Sequence, residues 1–161
     1  MKSPNKIDNQ NQIRRIDAKM KVDKSFTPCP VDEEDELFPN GIFNFNITKM
    51  ADYIQKNIDS FMPEKVLLKD FYISSNINES HLKSVDISRP IIIAEISPGR
   101  YNVIDGNHRI EKSRRLGKKY IRAYRFQAKQ HIRFLTTQRA YLSFVEYWNS
   151  KLKKMVVGQN V

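Results

Sequence analysis

The sequence predicts a mixed α+β domain: a small mixed sheet flanked by helices, with a helical extension at its C-terminal end. Three observations predict it. Residues 90–96, 101–104 and 120–126 are apolar or alternating runs of strand length. Segments with helical spacing separate and follow them, as in RIEKSRRLG and the long stretch after Phe126. The 161 residues match one domain with ordinary tails.

The elements follow in order. Residues 1–25 are polar and weakly patterned, which predicts a frayed arm. The stretch FTPCPVDEEDELFPNG combines prolines with five consecutive acids at 32–36, which predicts an extended loop. Those acids read as a solvated run, as a carboxylate lent to a site, or as a screen for the basic half. Phe43, Phe45 and Ile47 alternate as in a short strand, and Thr48 can then cap a helix. Met50, Tyr53, Ile54 and Ile58 share one face of that helix, and Pro63 stops it. Residues 65–73 are β-like. Residues 74–90 are polar and turn-rich, a solvent loop with His81 isolated in it.

Residues 90–96 read as a buried strand, SPGR as a tight connection, and 101–104 as the returning strand. A helix follows over 107–116, with Gly117 where a left-handed cap is wanted. Residues 120–126 alternate as another strand. The remainder is helical in two parts, broken at Thr136–Thr137. Its apolar faces carry Phe134, Leu135, Tyr141, Leu142, Phe144, Val145 and Trp148, read as packing rather than as stacking platforms. The expected layout is an arm at 1–25, a domain at 26–127, a helical extension packed on it at 128–155, and a tail at 156–161.

A single cysteine, Cys29, excludes an internal disulfide and suits a reducing compartment. No apolar run approaches the roughly 20 residues of a membrane span. The first residues lack the apolar core of a signal peptide. A cytoplasmic protein without membrane contact is expected. The net charge is +10, unevenly spread. Residues 100–154 hold fifteen Lys and Arg against three acids (Asp105, Glu111 and Glu146), a balance of +12 that leaves −2 for the rest. So basic a half favours polyanions, or else is a solubilising surface.

Position decides more than charge. Asp105-Gly106 ends a strand and opens a helix, where glycine permits positive φ and close approach of a ligand. The first amides of the helix are unpaired and, with the helix dipole, form an anion site that Asn107 can cap when empty. His108 and Arg109 leave from the same turn and suit phosphate oxygens. Asp105 can orient either of them, hold a divalent ion, or accept a proton. On a helical wheel Ile110, Ser113, Leu116 and Gly117 point inward, while Arg109, Lys112, Arg115 and Lys118 point elsewhere; most of that charge solvates, and Arg109 differs by its place at the helix start. Zinc is not expected, because His81, His108 and His131 lack ligand spacing.

The stretch PIIIAEISPGRYNVIDGNHRIEKSRRLGKKYIRAYRF resembles the core of the ParB/sulfiredoxin-like superfamily. It has the strand and hairpin, the Gly-x-x-Arg-type turn at Gly106 to Arg109, the helix with a Leu-Gly end, and the following strand. Upstream, FNITKMADYIQKN and KVLLKDF resemble the family's first helix and its next strand, so the resemblance runs over 43–126. It implies that the turn binds phosphates of ATP, CTP, ADP or a related nucleotide, with Mg²⁺, through Gly106, Asn107, His108 and Arg109. Asn107 stands where sulfiredoxins carry their cysteine, and Cys29 is distant in sequence, so sulfinic-acid reduction is not implied. About 35 residues follow Phe126, too few for the DNA-reading and dimerisation modules of partitioning members. The Asp-Gly-x-His-Arg form is closer to the branch that includes free-serine kinases. That likeness makes Asp105 (also the metal candidate), His108 and an upstream glutamate catalytic candidates, the last being Glu33, Glu34 or Glu36, with Glu34 carried forward.

Three functions compete. One is a nucleotide-binding ParB-like protein with NTPase or phosphotransferase activity. Another is a DNA- or RNA-binding protein or nuclease, its contacts at Arg115, Lys118, Arg122 and Arg125 among Tyr120, Tyr124, Phe126 and Tyr141. The third is a non-enzymatic protein whose C-terminal helices dock a partner or a second copy.

Overall fold

The computed structural model describes residues 19–40, 42–71 and 76–159. Its architecture is mixed α+β. The first 18 residues of the expected arm and residues 160–161 of the expected tail lie outside this description. Residues 20–26 are laid against the last helix: Met20 and Asn149 exchange two 2.8 Å hydrogen bonds. The Asp23 amide donates to the Tyr141 hydroxyl at 2.7 Å, and Phe26 stacks on that ring at 3.9 Å.

Strand β1, Leu37–Asn40, lies inside the stretch expected to be a loop. It pairs antiparallel with β2, Phe43–Asn46. Pro39 is tolerated because a two-stranded ribbon is all edge. Helix α1, Ile47–Lys56, starts at Asn46, whose side chain accepts from the Lys49 amide at 3.1 Å. Thr48 is not the cap; its hydroxyl accepts from the Glu36 amide at 2.8 Å. Met50 and Ile54 are buried as the periodicity predicts. Because the helix ends at Lys56, Ile58 falls past it and is exposed.

β3 is short, Glu64–Leu67, and passes at once into a 3-10 turn, Leu68–Asp70. Residues 72–73 of the expected strand are outside the described residues. α2, Glu79–Leu82, forms one turn capped by the Asn78 side chain. β4, Ile91–Ser97, and β5, Arg100–Asp105, form the expected hairpin. Then come α3, Asn107–Arg115, and β6, Tyr120–Phe126. The chain finishes with α4, Ala128–His131, a 3-10 turn over Ile132–Phe134, and α5, Gln138–Gln159. No helix among the described residues is long and apolar enough to cross a membrane.

The four-stranded sheet has the order β3-β6-β4-β5. β4 and β6 are parallel, and the two outer pairings are antiparallel. Ile92 pairs with Asp105 but Ile93 with Val103, so Ile104 is an extra residue in β5. Such a bulge twists and re-aims a strand.

Strand alternation sends β4 side chains to two cores. Ile92, Ala94 and Ile96 join Ile104, Phe126, Met50, Ile54 and the α5 residues Tyr141, Phe144, Val145 and Trp148. Ile91 and Ile93 join Val66, Ile121, Ala123 and Ile110 of α3. The aromatics of α5 are thus packing residues, as expected, but Leu142 is 43% exposed and faces away from them.

His131 is fully buried between Phe45 and Phe144. Its Nε2–H donates to the Glu95 carbonyl at 2.6 Å, while Nδ1 has no hydrogen-bond partner among the described residues. Burial disfavours the imidazolium and pushes its pKa down to about 4. The unfolded chain takes up this proton near pH 6.5 and the native protein does not. Stability is therefore full above about pH 6.5 and falls as pH drops towards 4, by on the order of 3 kcal/mol from this group. Denaturant melts from pH 7 to pH 4.5 should show the fall, with a flatter profile for His131→Gln; parallel profiles would contradict it.

Candidate functional site

The turn that ends β5 is built by packing. Gly106 has φ +114°, and a Cβ there would lie 2.4 Å from Cγ2 of Ile91. Glycine is required because the helix start presses against β4, whatever a ligand does. Gly106 is also the N-cap position of α3 and offers no side chain to cap it. Asn107 is therefore the first helical residue and not the cap expected from sequence.

Arg109 turns inward and is 9% exposed. Its Nη2 donates to Asp105 Oδ2 at 2.9 Å, and its Nη1 donates to the carbonyls of Arg89 and Pro90. The guanidinium fork locks the end of β5 to the residues entering β4, and Asp105 is its counter-ion. His108 leaves on the other side of the helix. Its Nε2 accepts from the Asn78 amide at 3.1 Å, which puts the ring proton on Nδ1. His81 is not isolated: its ring meets His108 edge-on, with centroids 4.8 Å apart.

The other cations of α3 do more than solvate. Lys112 donates to the carbonyls of Lys83 and Val85, and Arg114 to those of Leu68 and Phe71. Arg115 grips Glu79 with two bonds of 2.6 and 2.7 Å and also reaches Glu111 at 2.9 Å. These bonds hold the Glu79 carboxyl below its usual range. Leu116 is 59% exposed rather than inward, because the helix ends at Arg115 in a Schellman turn. Its bonds run from Gly117 to Arg114 and from Lys118 to Ser113 at 3.0 Å each, with Gly117 at φ +74°.

A cleft of about 1040 Å³ opens over the second face of the sheet, beside the start of α3. Val66, Ile93 and Val103 form its floor; Phe38, Phe71 and Tyr101 supply aromatic walls. Lys65, Arg100 and Arg125 carry positive charge along it, and Asp70, Asn102 and Asn107 add polar groups. Arg125 lies over the Tyr101 ring at 4.4 Å and pairs with Glu64 at 2.9 Å. Of the residues named from the DGNHR turn, only Asn107 reaches this cleft. Glu34 is exposed in the turn before β1 and does not line it. Arg115 is spent on Glu79 and Glu111, while Lys118 and Arg122 are exposed and make no ion pair among the described residues.

Lys65, Asp70, Arg100, Tyr101 and Asn102 were not legible as site residues, since their strands meet only in the folded sheet. The one available signal was alternation in 120–126, which puts Arg125 on the Ile121 face. Among the described residues no group of three or more His, Cys, Asp or Glu could hold a metal ion. Cys29 is buried, and burial pushes its thiol pKa up, away from reactivity.

Two substitutions separate lock from ligand contact. Arg109→Ala leaves Asp105 and two carbonyls unpaired and should cost about 2–3 kcal/mol in equilibrium unfolding without any ligand. An unchanged midpoint would remove the locking role. Gly106→Ala combines positive-φ strain with the Ile91 clash and should cost about 2–4 kcal/mol by the same measurement. No protein-family model matches the chain, and no curated protein matches it.

Proposed function

We propose that the protein binds a nucleotide in the cleft over the sheet, with its phosphates against the start of α3. The observation that carries this reading is the meeting of two features. The first turn of α3, which has no side-chain cap, opens at Asn107 into a cleft bearing Lys65, Arg100 and Arg125. Uncapped helix amides favour anions, and arginines bind phosphate oxygens with two parallel bonds. The apolar floor and the rings of Phe71 and Tyr101 suit a planar base. The ParB/sulfiredoxin-like resemblance belongs to this proposal, with one revision: the phosphate contact moves from Arg109 to the cleft cations.

Mg²⁺ carried by the phosphates needs only one or two carboxylates, and Asp70 supplies one. Asp105 is held by Arg109, and Glu34 stands outside the cleft, so neither is a base for phosphoryl transfer in this reading. Binding is proposed, and any turnover would draw on Asp70.

Calorimetry with ATP, CTP and ADP, with and without Mg²⁺, tests the reading. Binding at millimolar or lower nucleotide is expected, weakened about tenfold in Arg100→Glu, the effect of roughly 1.4 kcal/mol. A folded sample that takes up no nucleotide at millimolar concentration overturns it.

A further inference from the structure

We infer that Arg125 is a strap across the cleft, latched by Glu64, which a nucleotide must open from its phosphate end. This rests on the nucleotide reading above and adds the regulation of that site. Strand alternation places the parts of the strap on one face of the sheet. Ile121 and Ala123 of β6 share the core of Val66 and Ile93, with Tyr101 and Val103 packed against it. Arg125, two residues past Ala123, and Glu64, two residues before Val66, project from that same face. In register Glu64 lies opposite Ala123, and Ile93 lies between Arg125 and Val103.

Arg125 reaches both ways from there. Its Nε donates to Glu64 Oε2 on β3 at 2.9 Å, and its guanidinium carbon lies 4.4 Å from the centre of the Tyr101 ring on β5. β4 runs between β6 and β5, so the Arg125 and Tyr101 side chains together bridge it beside Ile93, on the cleft floor.

Two surfaces that a nucleotide would use are thus taken by the protein itself. A carboxylate holds the guanidinium, and the guanidinium covers a face of the Tyr101 ring. The latch is weak. The side chains of Glu64 and Arg125 are 54% and 34% exposed, and ion pairs so wet hold by a few-fold at most. Arg109 is the contrast, a buried fork with a carboxylate and two carbonyls as acceptors. A phosphate offers Arg125 more charge than Glu64 does, and two parallel bonds. A guanidinium that follows the phosphate uncovers the ring for a base. Phosphate and base therefore help one another to bind, and the coupling is the same from either side.

NMR titrations of the full chain with adenosine, pyrophosphate and ATP test the strap. Saturating pyrophosphate should tighten adenosine binding at least about fivefold, and saturating adenosine should do the same for pyrophosphate. Glu64→Gln should tighten ATP about three- to fivefold, the strength of an exposed pair. Arg125→Gln should bind adenosine more tightly and pyrophosphate more weakly. Adenosine is neutral, so its gain reports the uncovered ring and not a change in the cleft's charge. Absence of coupling, a Glu64→Gln variant that binds ATP no better, or an Arg125→Gln variant that binds adenosine no better overturns the strap. With ATP still bound by the unaltered protein, each of these results leaves the nucleotide reading standing. Failure of a folded sample to bind ATP overturns both.

Discussion

The guanidinium of Arg109 is the constraint on which the arrangement around the cleft depends. One side chain joins the end of β5, through Asp105 four residues back, and α3, from which it grows, to the entry of β4, whose two carbonyls lie 19 and 20 residues away. A charge this deeply buried is tolerable only when it is paired and hydrogen-bonded, and the Asp105 carboxylate and two carbonyls meet that need. The tie keeps the start of α3 against Ile91, which in turn admits nothing larger than glycine at 106. The position of Asn107 at the cleft follows from that chain of contacts.

The remaining cations of α3 continue the same scheme. Carbonyls at 68, 71, 83 and 85 and the carboxylate of Glu79 would otherwise need water, and three long side chains reach out to them. Toward α2 the helix holds its neighbour mainly by these polar bonds, since Leu82 is the one buried side chain of that turn, while toward residues 68–71 they add to the apolar packing of Leu68 and Phe71 in the core of Ile110. The opposite face of the sheet is held differently. There α1, α5 and β2 close a single aromatic core around Phe45, Phe126, Tyr141 and Phe144. One face is sealed and the other is partly open, which leaves room for the cleft.

Much of the fold was legible in the sequence. An apolar run at 90–96, broken only by Glu95, and alternation at 120–126 identified β4 and β6, and Gly117 marked the end of α3. Where two residues could do the same job, local reading erred: Asn46 and Thr48 can both cap a helix, and only the packing of Glu36 beside Thr48 decides between them. β1 was missed because its propensity is poor and its pairing with β2 stabilises it. The turn at 105–109 was recognised as a special place, but its chemistry was read outward. Whether an arginine at a helix start faces solvent or the interior depends on acceptors that the fold brings, here from residues 89 and 90. The cleft was the least legible feature, because its cations come from β3, β5 and β6 and no local pattern links them.

The bulge at Ile104 carries one more consequence. The extra residue lets β5 send Ile104 into the aromatic core and still deliver Asp105 and Gly106 to the turn. Sheet and helix therefore keep different periods, and a single residue sets the phase between them. Shortening β5 by that residue would leave every α3 side chain intact and yet present the wrong one to each acceptor, with Arg109 a step out of time with its carbonyls. The address of the cleft is written in the length of a strand, not in the composition of the helix beside it.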